Sequence, residues 1–298
     1  MPLAPMSELL RAAQRGGYAV CYCESWDLES FVAIVEAAEE CDAPAIAGFN
    51  GGFLRHAGRS QPESLRYYAA LRFALERCRV PVALLLNESD DLAQMREAME
   101  LGFNAVMPEN EGLTADQYRA LVEDVVKVAH PLGVSVEAQL GTLPSGGSQD
   151  LHAGDITDPE AARDFVTRTQ VDALAVSVGN VHILTRGRAS LDFDALRRIL
   201  EKVEVPLVVH GGTSLAPESI ATLISLGVAK LNYGTVLKQA YLAALRESLP
   251  RYHPPMSPHP FLGMGGSLDI LVAAREAVKI KVKELLVLSK SAGQARAA

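Results

Sequence analysis

Leu207-Val208-Val209-His210-Gly211-Gly212-Thr213-Ser214 is a short β-branched run that stops on a histidine, two glycines and two hydroxyls. Three consecutive apolar residues are too few for a helix and suit a strand buried on both faces, as in a parallel sheet. Seven comparable runs precede or follow it: Tyr18 to Tyr22, Ala45 to Phe49, Val82 to Leu86, Asn104 to Met107, Val134 to Glu137, Ala173 to Val178 and Val228 to Leu231. Segments with helical spacing lie between them, at Leu28 to Cys41, Pro62 to Cys78, Asp90 to Leu101, Ala115 to His130 and Pro159 to Thr169. Ser89 and the stretch Thr157-Asp158-Pro159-Glu160 read as helix starts. Eight strand-helix units predict an α/β chain closed into a (β/α)₈ TIM barrel more readily than an open sheet. About 250 residues is usual for such a barrel, so residues 1–298 are expected to form one domain. Leu268 to Leu288 reads as an additional C-terminal helix.

Composition narrows the function classes. A net charge of -8 with no clustered basic face argues against nucleic acid. No apolar run approaches a membrane span, and the N-terminus lacks a signal-like pattern, so a cytoplasmic location is expected. Cys21, Cys23, Cys41 and Cys78 are too few and too irregular for a disulfide framework; Cys21 and Cys23 would share a strand face as buried small hydrophobes. The expected partner is a small molecule.

In an α/β barrel the chemistry gathers at the C-terminal ends of the strands. Glu24, Asn50, Asn87, Glu88, Glu137, Gln139, His182, His210, Asn232 and Thr235 fall there. His182 and His210 are imidazoles from adjacent strands, and Glu88 is a natural third ligand for a catalytic divalent metal that keeps an open position. The alternative is that both histidines are hydrogen-bonded barrel residues. Gly211, Gly212, Thr213 and Ser214 follow strand seven, and Asn232 with Thr235 opens the final barrel helix, which together suit a phosphate group. The plainer reading of Gly211-Gly212 is a tight turn. Arg186 and Arg188 lie close behind His182, where one guanidinium can clamp a phosphate or simply remain solvated.

Several segments together resemble the class II, metal-dependent ketose-bisphosphate aldolases, in their fructose- and tagatose-bisphosphate branch. They include Val35 to Glu40, Gly133 to Ala138, Asp172 to Ser177, Leu191-Asp192-Phe193, His210-Gly211-Gly212 and Lys230-Leu231-Asn232, spread over about Ala19 to Tyr241. The resemblance implies three histidine ligands to a divalent metal, usually zinc, that polarises the carbonyl of dihydroxyacetone phosphate. His182 and His210 match two of them. The family's His-Leu-Asp-His-Gly segment reads Leu85-Leu86-Asn87-Glu88-Ser89, so Glu88 stands for a histidine ligand and Asn87 for the proton-exchanging aspartate. The family's Glu-Ala-Glu-Leu-Gly reads Glu137-Ala138-Gln139-Leu140-Gly141, and its mobile acid/base loop reads Ser145 to Asp150 without a glutamate. Glu24 stands for an asparagine and Asn50 for a serine. At the phosphate Ile183 follows His182 in place of glycine, Arg186 replaces a lysine, and Asn232 and Thr235 match.

An asparagine cannot carry the aspartate's proton, and a positioned acid or base is worth about 10²–10⁴ in rate. The expectation is therefore a divalent-metal lyase with altered chemistry on a phosphorylated or similarly anionic substrate. Zn²⁺ leads as cofactor, with Mn²⁺, Co²⁺ or Mg²⁺ as alternatives. Glu24, Asp150, His152 or Asp155 would supply the proton. A metal-dependent isomerase and a non-catalytic sugar-phosphate binder are the competing readings. Apolar Leu268, Ile270, Leu271, Val278, Ile280, Val282, Leu285 and Leu286 occupy more than one face of the last helix, which predicts a homodimer or homotetramer.

Overall fold

The computed structural model describes residues 3–141, 155–181 and 187–296. Eight parallel strands close into a barrel in chain order: β1 Val20–Glu24, β2 Ala45–Asn50, β3 Val82–Ser89, β4 Ala105–Pro108, β5 Ser135–Leu140, β6 Ala173–Val176, β7 Leu207–Val209 and β8 Val228–Tyr233. Every strand expected from the sequence is present. β8 pairs back onto β1, with Val20 beside Lys230 and Tyr22 beside Asn232, so no edge is left open.

Among the described residues twelve α-helices accompany them: α1 Met6–Gly16, α2 Leu28–Glu40, α3 Gly51–Leu54, α4 Leu65–Ala69, α5 Arg72–Leu75, α6 Leu92–Glu100, α7 Ala115–Ala129, α8 Pro159–Thr169, α9 Phe193–Leu200, α10 Pro217–Leu226, α11 Thr235–Ser248 and α12 Ile270–Leu288. Local chemistry fixes several starts. Asp27 and Ser30 exchange the bonds of a capping box on α2, and Asp158 accepts from Ala161 N ahead of Pro159 on α8.

Two helix expectations are corrected. Ser89 ends β3, and Asp91 caps α6 through Ala93 N. Pro62 to Cys78 forms two short helices, because its buried positions Leu65, Ala69, Leu75 and Cys78 do not share one helical stripe. Helix α1 was not anticipated.

The core has two shells. Between strands and helices lies the larger, which contains Cys21 and Cys23; the barrel interior holds Tyr22, Ile46, Leu85, Met107, Val208 and several alanines. Met6, Leu9, Leu10 and Ala13 of α1 join the inner shell. Leu3 bridges to Val82 at the start of β3, and Ser7 N donates to Ser135 Oγ at the start of β5. Helix α1 therefore stops the N-terminal end of the barrel and leaves the C-terminal end as the open mouth. Among the described residues no helix is long and apolar enough to cross a membrane.

Candidate active site

Side chains two apart on a strand share a face, so Tyr22 and Glu24 both point into the mouth from β1. Asn50 ends β2 and stands in register with Asn87 on β3. Strict alternation would then send Glu88 to the other side of the sheet. Instead Glu88 has φ 53°, and the pairing of β3 with β4 shifts between Leu86 and Ser89. The kink brings Asn87 and Glu88 to the wall of one cavity. Left-handed backbone at a non-glycine residue stores roughly 1–3 kcal/mol, which the surroundings must hold. Asn50 Nδ2 donates to Glu88 Oε2 at 2.6 Å, and Glu88 Oε1 lies 3.5 Å from His210 Nδ1.

His210 follows β7 and is buried. Its Nε2 lies 2.9 Å from Glu137 Oε1, and Asn180 Nδ2 donates to its carbonyl at 3.0 Å. Glu137 Oε2 is ion-paired with Lys230 Nζ at 2.8 Å, and Lys230 Nζ donates to Asn232 Oδ1 at 2.8 Å. Burial alone would push the Glu137 carboxyl up; Lys230 and His210 overcome it and hold the group below the usual carboxylate range. Burial likewise opposes charge on His210, but bonds to Glu137 and Glu88 lift the imidazole above its ordinary value.

At the rim, Lys238 Nζ donates to Glu24 Oε1 at 2.6 Å and sits over the Phe53 ring, 4.5 Å from its centre. Burial pushes the Glu24 carboxyl up, with Lys238 opposing and Glu88 adding to the rise. A Cβ at Gly234 would displace the Glu24 carboxylate, so the glycine leaves that group its present place. Among the described residues, Asn87 Oδ1 and the Tyr22 hydroxyl are buried and find no hydrogen-bond partner, and both residues line the cavity. Burial pushes the Tyr22 phenol well up, so it stays a donor.

The cavity, of about 350 Å³, is completed by Gly211, Thr213, Asn232, Gly234 and Thr235. Gly211 adopts φ 72°, and Gly212 begins a 3₁₀ turn through Ser214. The N-cap residue of α11, Gly234, has no side chain to cap the helix that starts at this rim. Thr213 Oγ1 accepts from Val236 N at 3.3 Å, whereas the buried Ser214 hydroxyl is turned to Gly211 O at 2.7 Å and is not part of the lining. Asp155 lines an adjoining chamber with Glu88, Glu109 and Gln139. His182, Ile183, Arg186, Asp150 and His152 lie outside the described residues.

Among the described residues no three His, Cys, Asp or Glu side chains meet as a metal-binding group. Glu88 and His210 are two donors side by side, and the third expected ligand is the undescribed His182. The donor chemistry fits a cation: one imidazole nitrogen is braced by a carboxylate and the other faces Glu88, which is the outer support catalytic metal histidines have. Sequence reasoning gave no role to Tyr22, Glu109, Lys230 or Lys238. The period-two spacing of Tyr22 with Glu24, and of Lys230 with Asn232, was the available signal.

A family model described as fructose-bisphosphate aldolase class-II matches residues 4–294, so the likeness extends past Ala19 to Tyr241 and takes in α1 and α12. The chain is 35% identical over 284 residues to the probable fructose-bisphosphate aldolase of Bacillus subtilis (strain 168), covering 94% of each. It is 31% identical over 267 residues to the uncharacterized protein YdjI of Escherichia coli (strain K12), covering 89% of this chain and 91% of that one. The crystal structure of the YdjI aldolase from Escherichia coli K12 superposes with a TM-score of 0.81 at 29% identity, over 98% of this chain and 99% of that one.

Proposed function

The chain belongs to the class II fructose-bisphosphate aldolase family, and we propose that it is a divalent-metal-dependent lyase acting on a phosphorylated substrate, with its substrate or reaction altered from fructose-bisphosphate cleavage. The observation that carries this reading is the pairing of Glu88 with His210 in a cavity whose other rim is Gly211, Thr213 and Thr235.

Glu88, His210 and His182 would hold the ion, Zn²⁺ before Mn²⁺, Co²⁺ or Mg²⁺, and such an ion polarises a carbonyl next to the bond that is made or broken. Glu137 fixes His210 by taking its Nε2, which leaves Nδ1 toward the cavity. Gly211, Thr213, Asn232 and Thr235, with the adjoining Gly212 and the sequence-matched Ile183 and Arg186, would orient the phosphate. Asn87 binds a substrate hydroxyl with its unpaired Oδ1 and does not move a proton. Glu24, whose carboxyl is raised by burial, exchanges the proton at its Oε atoms; Asp150 is the alternative. The chain works as a homodimer or homotetramer.

The test is a coupled cleavage assay on fructose 1,6-bisphosphate and tagatose 1,6-bisphosphate with added zinc, manganese or cobalt. Turnover should stay below about 1 s⁻¹, the lower end of ordinary enzymes. Metal analysis of the purified protein should find a tightly held ion. A metal-free protein that still binds sugar phosphates would refute the lyase reading in favour of a binder.

A further inference from the structure

The 350 Å³ cavity and a second chamber of about 1110 Å³ meet at Asn50, Phe53 and Glu88. Their far walls carry opposite chemistry. The first ends on backbone amides and hydroxyls around Gly211 and Thr235. The second is walled by Glu88, Asp90, Glu109, Glu111 and Asp155. Arg55 and the exposed His56 are the basic side chains among its described lining residues, and Arg55 is already ion-paired with Asp91.

A polar side chain also awaits a partner there. Gln139 lines the chamber with only 8% of its surface exposed, and its side chain makes no hydrogen bond to a described residue, although its backbone N donates to Tyr118 Oη. Glu109 Oε1 accepts from Asn110 N at 2.7 Å and Glu111 N at 3.2 Å, and burial together with Glu88 pushes this carboxyl up.

Building on the lyase reading, we propose that this chamber receives the half of the substrate remote from the phosphate, and that this half is an uncharged polyhydroxylated chain. The substrate is then a monophosphate, not a bisphosphate. A phosphate dianion entering the chamber would meet several carboxylates and, among the described lining residues, no lysine and no arginine outside an ion pair, and like charges brought together at a binding surface are strongly rejected. Hydroxyls suit the same wall, since each donates to a carboxylate or amide oxygen and accepts from the Gln139 amide. The chamber has room for several carbons.

Calorimetric titration of the full-length, metal-containing protein with unreactive hexitols tests this. The probes are a hexitol 1-phosphate, a hexitol 1,6-bisphosphate and a 6-amino-6-deoxyhexitol 1-phosphate. The monophosphate should bind at least about tenfold more tightly than the bisphosphate. Asp90→Lys with Glu111→Lys, both substitutions at the chamber wall, should close most of that gap by tightening the bisphosphate. Gln139→Leu should weaken the hexitol 1-phosphate several-fold and leave inorganic phosphate binding unchanged. Equal or tighter binding of the bisphosphate by the unaltered protein would overturn this inference and leave a lyase for phosphorylated substrates standing. Preference for the amino probe would overturn it in favour of a cationic partner. Failure of every phosphorylated probe to bind would overturn both this inference and the phosphate assignment beneath it.

Discussion

Lys230→Met should be among the most damaging single substitutions in this barrel, although Lys230 lies on no surface. Its ammonium is fully buried, 2.8 Å from Glu137 Oε2 and 2.8 Å from Asn232 Oδ1, with the Tyr22 ring 5.0 Å away. Burial pulls the amine below its ordinary value, and Glu137 opposes that. Taking away one member of such a pair leaves the other charged and desolvated, which costs about 3–5 kcal/mol. Set against a total stability of about 5–15 kcal/mol, that loss is large. Glu137→Gln keeps an oxygen for His210 Nε2 but removes the charge. The double variant Glu137→Gln with Lys230→Met leaves no uncompensated ion, so it should be less destabilised than the two single losses added together, with a coupling of about 2–3 kcal/mol. Urea denaturation followed by circular dichroism on the four proteins reads this directly. A cost below about 1 kcal/mol for Lys230→Met, or additive losses, would refute the buried-pair argument.

Three further outcomes follow from other parts of the molecule. Asp269 caps α12 and accepts from Gly263 N at 2.7 Å, Gly265 N at 3.0 Å and Leu271 N at 3.1 Å; burial opposes these bonds, yet they hold its carboxyl below the ordinary range. Its contribution is complete above the ordinary carboxylate range and drains as pH falls through the folded-state value, so Asp269→Ala should cost about 1 kcal/mol at neutral pH and flatten the acid limb of a stability–pH curve. Thiol alkylation with mass detection should label the half-buried Cys41 first, while Cys21, pushed up to about 12 by burial, and the buried Cys23 and Cys78 stay protected until unfolding. Light scattering should find a homodimer or homotetramer: α12 buries Val278, Val282 and Leu286, yet leaves Ile280 57% and Val287 63% exposed, and Ile280→Glu with Val287→Glu should shift the protein toward monomer.

The fold was legible because parallel strands buried on both faces must be short and apolar, and Val82-Ala83-Leu84-Leu85-Leu86 or Leu207-Val208-Val209 leave little else to choose. Helix α1 was not, since its stabilising contacts are with the far end of the barrel, which periodicity does not encode. The site was legible only as a set of strand ends. That Glu137 on β5 meets Lys230 on β8 depends on the barrel's curvature, and that Glu24 meets Lys238 depends on its closure, which pairs β8 with β1 across more than two hundred residues. The turn of Glu88 into the mouth was also hidden. Alternation along β3 places it on the opposite face from Asn87, and only the left-handed backbone at Glu88 overrides that rule.

That kink bears on whether the changed residues represent decay or adjustment. Resemblance sets Asn87 and Glu88 where the family has aspartate and histidine, so one carboxylate is kept and moved one position along the strand. Glu88 keeps that charge at the cavity, and Asn50, standing for a serine, is what anchors it: its amide nitrogen reaches Glu88 Oε2 while its oxygen accepts from Phe53 N at 2.9 Å to cap α3. Gly51 lets the chain pass the kink, because a Cβ there would lie 2.8 Å from Ser89 Cβ. Independent decay would not be expected to leave two of the altered residues, Asn50 and Glu88, bonded to each other beside the third, so we read these departures as one adjustment. Reversal should accordingly be cooperative. If cleavage of fructose 1,6-bisphosphate is the activity that was traded away, Asn87→Asp alone should recover little and Asn87→Asp with Glu88→His should recover more. The triple variant that adds Asn50→Ser should exceed the product of the separate gains, as contacting residues do in mutant cycles. Recovery by Asn87→Asp alone to about 1 s⁻¹ or more would show that residue 87 acts independently of its neighbours and would sink the argument for a coupled unit.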